Sequence, residues 1–399
     1  MSALTTSPAA ETAAPEPAAA APKPAKKKIA SLDLMKFMGI LIVVYYHCRL
    51  VAGDAYISSA NILTDRSLDQ YIFYGLLTLI GPCVPFFFLV NGYLLFDHKL
   101  DLKKHIKKTI QFVIITLFWS VFTLALTVWE SPWAEFSWKY VIKHGLLMDT
   151  QWMYHLWFMG AMVILYILFP LLKSAWDHNR KGFYFFVGAV FFIVFGNTAL
   201  NMCYNVYAWL RYHVNYDPRI NFFSMFSPFI GDRNTYWDGY GYIFVYFCLG
   251  AIIRENQAKF NEIMKPWICI VGIIVTTAAL YLYGYFMSLS TGILWQSGDQ
   301  YGNDILFSLV RILCIFGLAS RYKGTGKLSR FITYIGSNTM GIYLIHYPLR
   351  NLTVRYFRMY VPIPEYCLKT LVYSALLFFV SWVIMIIVKR IPVVKKLIG

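Results

Sequence analysis

Apolar residues in this chain neither alternate nor form a stripe. They fill whole helical turns, run after run, with short polar segments between the runs. A helix that is apolar on every side has no face to offer water, so a run of about 20 such residues reads as a crossing of the bilayer. Ten runs fit: 32–53, 71–96, 105–128, 155–174, 182–198, 237–254, 266–287, 303–320, 331–350 and 366–389. Inside lipid every backbone donor must find its acceptor within the segment, which a helix provides and an irregular chain does not. The pattern predicts an all-α integral membrane protein, a bundle of about ten transmembrane helices. Pro82 and Pro85 interrupt the second run and remove backbone donors, which predicts a bend before FFFLVNGYLL. Trp138 to Met148 has the pattern of an amphipathic helix lying along the membrane surface.

Composition agrees with this picture. Hydrophobic residues make up 58% and charged residues 14%, against roughly 25% charged in an ordinary soluble domain, so a set of soluble domains is excluded. Residues 1–30 differ from the rest. They are rich in Ala, Pro, Ser and Thr, end in Lys26-Lys27-Lys28, and predict a disordered cytoplasmic tail. A transmembrane domain over 31–392 and a short cytoplasmic tail at 393–399 complete the expected organisation.

A formal charge of +16 would by itself suggest nucleic acid. Its placement argues otherwise, because 23 of the 36 Lys and Arg fall in the tail, in 97–108, 173–181, 254–265 and 321–330, and from Lys389 onward. Cations gather on the cytoplasmic side of inserted helices. The expectation is a multi-pass protein of the plasma (inner) membrane, N-in and C-in, with no nucleic-acid partner. Arg350, Arg355 and Arg358 run against the rule, on what the pattern reads as an outer loop. An anionic substrate or a lipid headgroup would account for cations there. The seven Cys show no CxxC pair and no metal-ligand spacing, so no metal is expected; whether Cys203 and Cys367 pair is left open.

Ionisable groups inside apolar helices are costly and mark candidate sites. The first helix carries Asp33, Lys36, His47 and Arg49. Lys36 and His47, eleven residues apart, lie within about 20° of one helix face and ~16 Å apart along the axis. Asp33 shares that face, while Arg49 points nearly opposite to His47. Imidazole takes and gives protons near neutral pH, which singles out His47; Lys36 alone would read as a snorkelling anchor. Lys103, Lys104, Lys107 and Lys108 form a cationic cluster that suits phosphates, although a topology signal has the same form. Asn91 and Tyr93 follow the proline break and could be interhelical hydrogen-bond partners. His155 and Trp157 begin the fourth helix. Arg311 lies inside the eighth, seven residues after Asp304, and His346 lies toward the end of the ninth.

DLMKFMGILIVVYYH resembles the opening helix of the acyltransferase-3 family of membrane O-acyltransferases, whose signature is a basic residue, ten residues and then His. Lys36 stands where most members have Arg. FFFLVNGYLL resembles the second-helix motif, with Asn91 in place of the usual Ser before Gly-Tyr. HLWFMGAMVILYILFPLL, YFCLGAIIR and MGIYLIHYPL resemble the fourth, sixth and ninth helices, in family order, from about 33 to 390. The resemblance implies transfer of an acyl group, usually acetyl, from cytoplasmic acetyl-CoA to a hydroxyl of a surface glycan or lipid-linked sugar. His47 would be base or acyl carrier, with Lys36 and Asp33 beside it. Acyl-CoA would be held by Lys36, Lys103, Lys104, Lys107 and Lys108, of which Lys104 and Lys107 match an Arg-x-x-Arg-like element in charge. Acceptor contacts would fall to Arg49, Asn91, Tyr93, His155, Trp157, Arg311, His346 and Arg350. Two other readings stay open on the residues alone. One is a transporter or flippase for a polar or anionic solute, since a polar stripe also describes a permeation path. The other is a non-catalytic subunit of a glycan-assembly complex.

Overall fold

A computed structural model describes residues 29–49, 62–63, 66–131, 135–148, 154–212, 222–226, 229, 231–232, 237–292, 294–295 and 302–398. The tail expected at 1–30 lies outside the described residues up to position 28. So do 50–53 of the first run and much of the segments 199–236 and 288–302.

The described chain is helical apart from one antiparallel ladder, which pairs Gly231 with Asp238 and Asp232 with Trp237. Its first half contains α1 (Ala30–Cys48), α2 (Leu68–Ile80), α3 (Pro85–Leu95), α4 (Leu102–Glu130), α5 (Trp138–Leu146), α6 (Trp157–His178), α7 (Arg180–Phe191) and α8 (Asn197–Tyr212). The second half contains α9 (Gly241–Glu255), α10 (Gln257–Ile263), α11 (Pro266–Thr291), α12 (Leu306–Ala319), α13 (Gly326–Gly336), α14 (Thr339–Tyr360), α15 (Tyr366–Val388) and α16 (Pro392–Lys395). The break between α2 and α3 falls on Gly81–Val84, around Pro82 and before Pro85 at the start of α3. All seven Cys are free.

Among the described residues seven helical segments, not ten, are long and apolar enough to cross a membrane. They are Ala30–Cys48, Leu68–Leu95, Leu102–Glu130, Trp157–His178, Arg180–Tyr212, Pro266–Thr291 and Tyr366–Val388. The other three runs miss for physical reasons. α9 has 15 residues and α12 has 14, which is ~21–22 Å of helix against a hydrocarbon layer of about 30 Å. α14 is long enough, but His346, Arg350, Arg355 and Arg358 make it too polar. The run expected at 331–350 is two helices, parted at Ser337-Asn338. The three arginines therefore lie on a helix and not on a loop, because α14 continues past Pro348 to Tyr360. Likewise the fifth segment extends well beyond 198, through a π-helical stretch at Phe192–Gly196, to Tyr212.

Two packing features position the site. α1 is unbroken from Ala30 to Cys48 and lies against α3, α13, α14 and α15. α3 and α9 meet at glycines: a Cβ on Gly92 would fall 1.8 Å from the Phe247 carbonyl oxygen, and one on Gly250 would fall 2.2 Å from that of Leu89. Only a residue without a side chain lets two helix backbones approach so closely. Ile270, Val271, Ile274 and Val275 of α11 are exposed, as a face turned to lipid should be.

Candidate active site

Three histidines from distant parts of the chain meet beside α14. His47 Nδ1 lies 2.7 Å from His346 Nε2, with the two rings stacked at 5.0 Å and 16°. His155, in the single 3-10 turn that precedes α6, stands edge-on to His346 at 6.2 Å. Tyr347 fills the space between. Its ring is stacked on His155 at 4.3 Å and stands edge-on to His47 at 5.4 Å. Tyr343, one turn before, donates its hydroxyl to the His155 main-chain carbonyl.

The hydrogen bonds determine where the protons sit. His346 Nδ1 is 2.6 Å from the Tyr343 carbonyl oxygen and 3.3 Å from that of Ile342. Carbonyl oxygens only accept, so that nitrogen carries the hydrogen and Nε2 of the neutral ring carries a lone pair. His47 Nδ1 must then donate to it, which leaves the lone pair of His47 on Nε2. His346 is fully buried and His155 is 2% exposed, whereas His47 keeps accessible surface. His47, the least buried of the three, thus keeps a free lone pair on Nε2. Both ring nitrogens of His155 are buried without a hydrogen-bond partner.

A cavity of about 370 Å³ begins at Lys36 and Lys108 and ends at Tyr343 and Phe158. Its walls include Val43, Phe87, Phe112 and Tyr166, with Asn91 among them. Val43 is one helical turn below His47, and Tyr343 is one turn below His346, so the cavity stops about 6 Å of helix rise short of the imidazole pair. Lys36 pairs with Asp33 at 3.0 Å, and the second carboxylate oxygen of Asp33 is buried without a partner.

The remaining candidates are spread out. Of the lysine cluster only Lys108 lines the cavity, with its ammonium 5.3 Å from the Tyr166 ring. Lys103 and Lys107 are exposed. Lys104 pairs at 2.5 Å with Asp101, the N-cap of α4, and holds that carboxyl below its usual range. Asn91 turns its amide N–H to the Phe87 carbonyl. Tyr93 is outside the cavity, accepting a hydrogen bond from Arg254, which also clasps Asp97. Arg49 folds back over its own Tyr46 ring. Trp157 stacks on Tyr240 at 5.8 Å. Arg350 does reach the cluster: its guanidinium lies 5.4 Å from the Tyr347 ring and is held by Asn351. Arg311 is outside the cavity, donating to Thr277 and Ser308, and makes no ion pair with Asp304, seven residues before it.

Tyr343 and Tyr347 were not singled out by the sequence, although their spacing of −3 and +1 from His346 on one helix was a usable signal. His105 was also missed. It is buried, stacks on Tyr166 and donates to its carbonyl oxygen at 2.6 Å, fixing a wall of the cavity.

A family model described as an acyltransferase domain matches residues 29–390. No curated protein and no solved structure matches the chain.

Proposed function

This chain belongs to the acyltransferase-3 family, as the match over 29–390 shows, and from that premise we propose that it moves an acetyl or similar short acyl group from acyl-CoA to a hydroxyl of a surface glycan or lipid-linked sugar. The observation that carries the reading is the imidazole pair, with a lone pair on His47 Nε2 beyond the end of a cavity that starts at two lysines. The phosphates of the donor belong at Lys36 and Lys108, and the cavity suits a flexible pantetheine arm. That end faces the cytoplasm, with both chain termini, and the membrane is the plasma (inner) membrane.

The acceptor hydroxyl gives its proton to His47 Nε2 as its oxygen attacks the thioester carbonyl carbon. The carbon–sulfur bond then breaks, and the leaving thiolate takes the proton from His47 Nε2. The products are an ester and free coenzyme A, and the enzyme is unchanged. His346 acts through His47 as a positioning residue. Its Nε2 accepts from His47 Nδ1 and so keeps the reactive nitrogen unprotonated in the resting state. In this reading Arg350 and Tyr347 meet the acceptor, and His155 backs the Tyr347 ring.

The test is release of free thiol from acetyl-CoA by the purified protein in nanodiscs, given an outer-surface glycan fraction as acceptor. A transporter or a non-catalytic subunit would release none. In the same assay Lys108→Gln should raise KM for acetyl-CoA by about tenfold with kcat little changed, because phosphate contacts act alike in ground and transition states. His346→Asn should do the reverse, lowering kcat by on the order of 10²-fold with KM for the donor unmoved. Equal changes in both parameters would assign His346 to packing.

A further inference from the structure

The three histidines stand in one layer, and the residues one helical turn inward from them make a second. Val43 is four residues before His47 on α1, Tyr343 is three before His346 on α14, and Phe158 is three after His155 at the start of α6. Residues three or four apart share a helix face, one turn above the other. Val43, Tyr343 and Phe158 all line the 370 Å³ cavity, and none of the three histidines does. The second layer is therefore a partition between the cavity and the imidazoles. Rings close it. Phe158 meets Tyr343 edge-on at 5.4 Å and Phe87 at 5.7 Å, while Phe88 backs it at 5.3 Å. All three partition residues are buried.

A donor whose phosphates rest at Lys36 and Lys108 must pass its thioester through this layer to bring the carbonyl carbon beside His47. Little room lies beyond. The Tyr347 ring is stacked on His155 and edge-on to His47, and His346 is fully buried. An acetyl group adds one methyl to the carbonyl carbon. Each further methylene must press on Tyr347 or fold back to the partition, where it meets the Phe158 ring. Interiors packed this closely resist even one added methylene. The other two partition residues offer less to change. Tyr343 is tied by its hydroxyl to the His155 carbonyl, and Val43 is small and sits on the unbroken α1. Phe158 is held by ring packing, and its side chain is the largest apolar body at the end of the cavity.

We propose that Phe158 limits the size of the acyl group: its ring occupies the space a longer chain would need, so acetyl is selected over butyryl and longer groups. The inference rests on the acyl-transfer reading and extends it from chemistry to specificity. The test is kcat/KM for acetyl-, butyryl- and hexanoyl-CoA, read as thiol release by the protein in nanodiscs with the glycan fraction as acceptor. Wild type should prefer acetyl to butyryl by at least about tenfold, as added methylenes in a closed apolar pocket do. Phe158→Ala should reduce that preference by about tenfold. Phe158→Leu should shift it less and in the same direction, which keeps the test decisive if the alanine protein folds poorly. Lost stability slows every donor alike and leaves the ratio unmoved. Phe88→Leu is the control, because Phe88 touches the same ring from outside the cavity and should keep the wild-type ratio. No thiol release from any donor by wild type would defeat the acyl-transfer reading and this inference with it. Three results would overturn the role of Phe158 alone and leave acyl transfer standing: equal use of acetyl and butyryl by wild type, an unmoved ratio in both Phe158 variants, or the same shift in Phe88→Leu.

Discussion

Replacing His47 with Gln is expected to abolish acyl transfer while the protein still inserts, folds and binds acyl-CoA. The glutamine amide can donate to His346 Nε2 as His47 Nδ1 does at 2.7 Å, so the buried acceptor keeps a partner. Leaving it bare would cost about 1–3 kcal/mol and confuse a chemical defect with a structural one. What glutamine cannot do is accept a proton near neutral pH. Loss of general-base catalysis alone lowers rates by roughly 10²–10⁴-fold, far more than a modest packing change at a half-buried position. Transfer of radiolabelled acetyl groups, read beside the thermal midpoint and acetyl-CoA binding, checks this. A variant that retains near wild-type transfer would remove His47 from the chemistry, whatever the donor or acceptor.

The second large effect is on folding. Gly92→Ala should sharply reduce the yield of folded protein, because the new methyl group would lie 1.8 Å from the Phe247 carbonyl oxygen and 2.7 Å from its carbon. The obstacle is backbone, so no rotamer change relieves it, and α3 and α9 must move apart along their whole contact. Overpacking by side chains typically costs about 1–3 kcal/mol, and a backbone clash belongs at or above the top of that range. Gly250→Ala should behave alike, since its Cβ would meet Leu89 O at 2.2 Å and Tyr93 N at 2.5 Å. Gly188→Ala in α7 is the control: nothing lies within 4 Å of its Cβ, and a helical glycine becoming alanine should gain roughly 0.5–1 kcal/mol. Fluorescence-detected size exclusion and thermal midpoints of the three variants decide. A Gly92→Ala protein as stable as wild type would mean the two helices are not held as described.

What could be read beforehand followed from local geometry. The Lys36–His47 face of α1 was legible because 3.6 residues per turn determines it within a single helix. The pairing of His47 with His346 was not, because 299 positions separate them and no periodicity spans that distance. The expectation of ten crossings came from counting apolar runs, which does not register that α9 and α12 stop at 15 and 14 residues or that arginines continue α14 as a helix. Helix α8 was illegible for a related reason: Asn197, Asn201 and Asn205 make the stretch after 198 too polar to read as part of a crossing.

The unbroken course of α1 has a further consequence. With Lys36 and His47 on one rigid helix, the ~16 Å between their backbone positions is a fixed gauge that no loop movement can lengthen. Any molecule that touches both ends must match it, so the protein selects by reach as well as by charge. A deletion of one residue between Val43 and His47 would shorten the gauge by only ~1.5 Å but swing the imidazole by about 100°, away from His346. Length and direction are therefore locked together in α1, and neither can be altered there without the other.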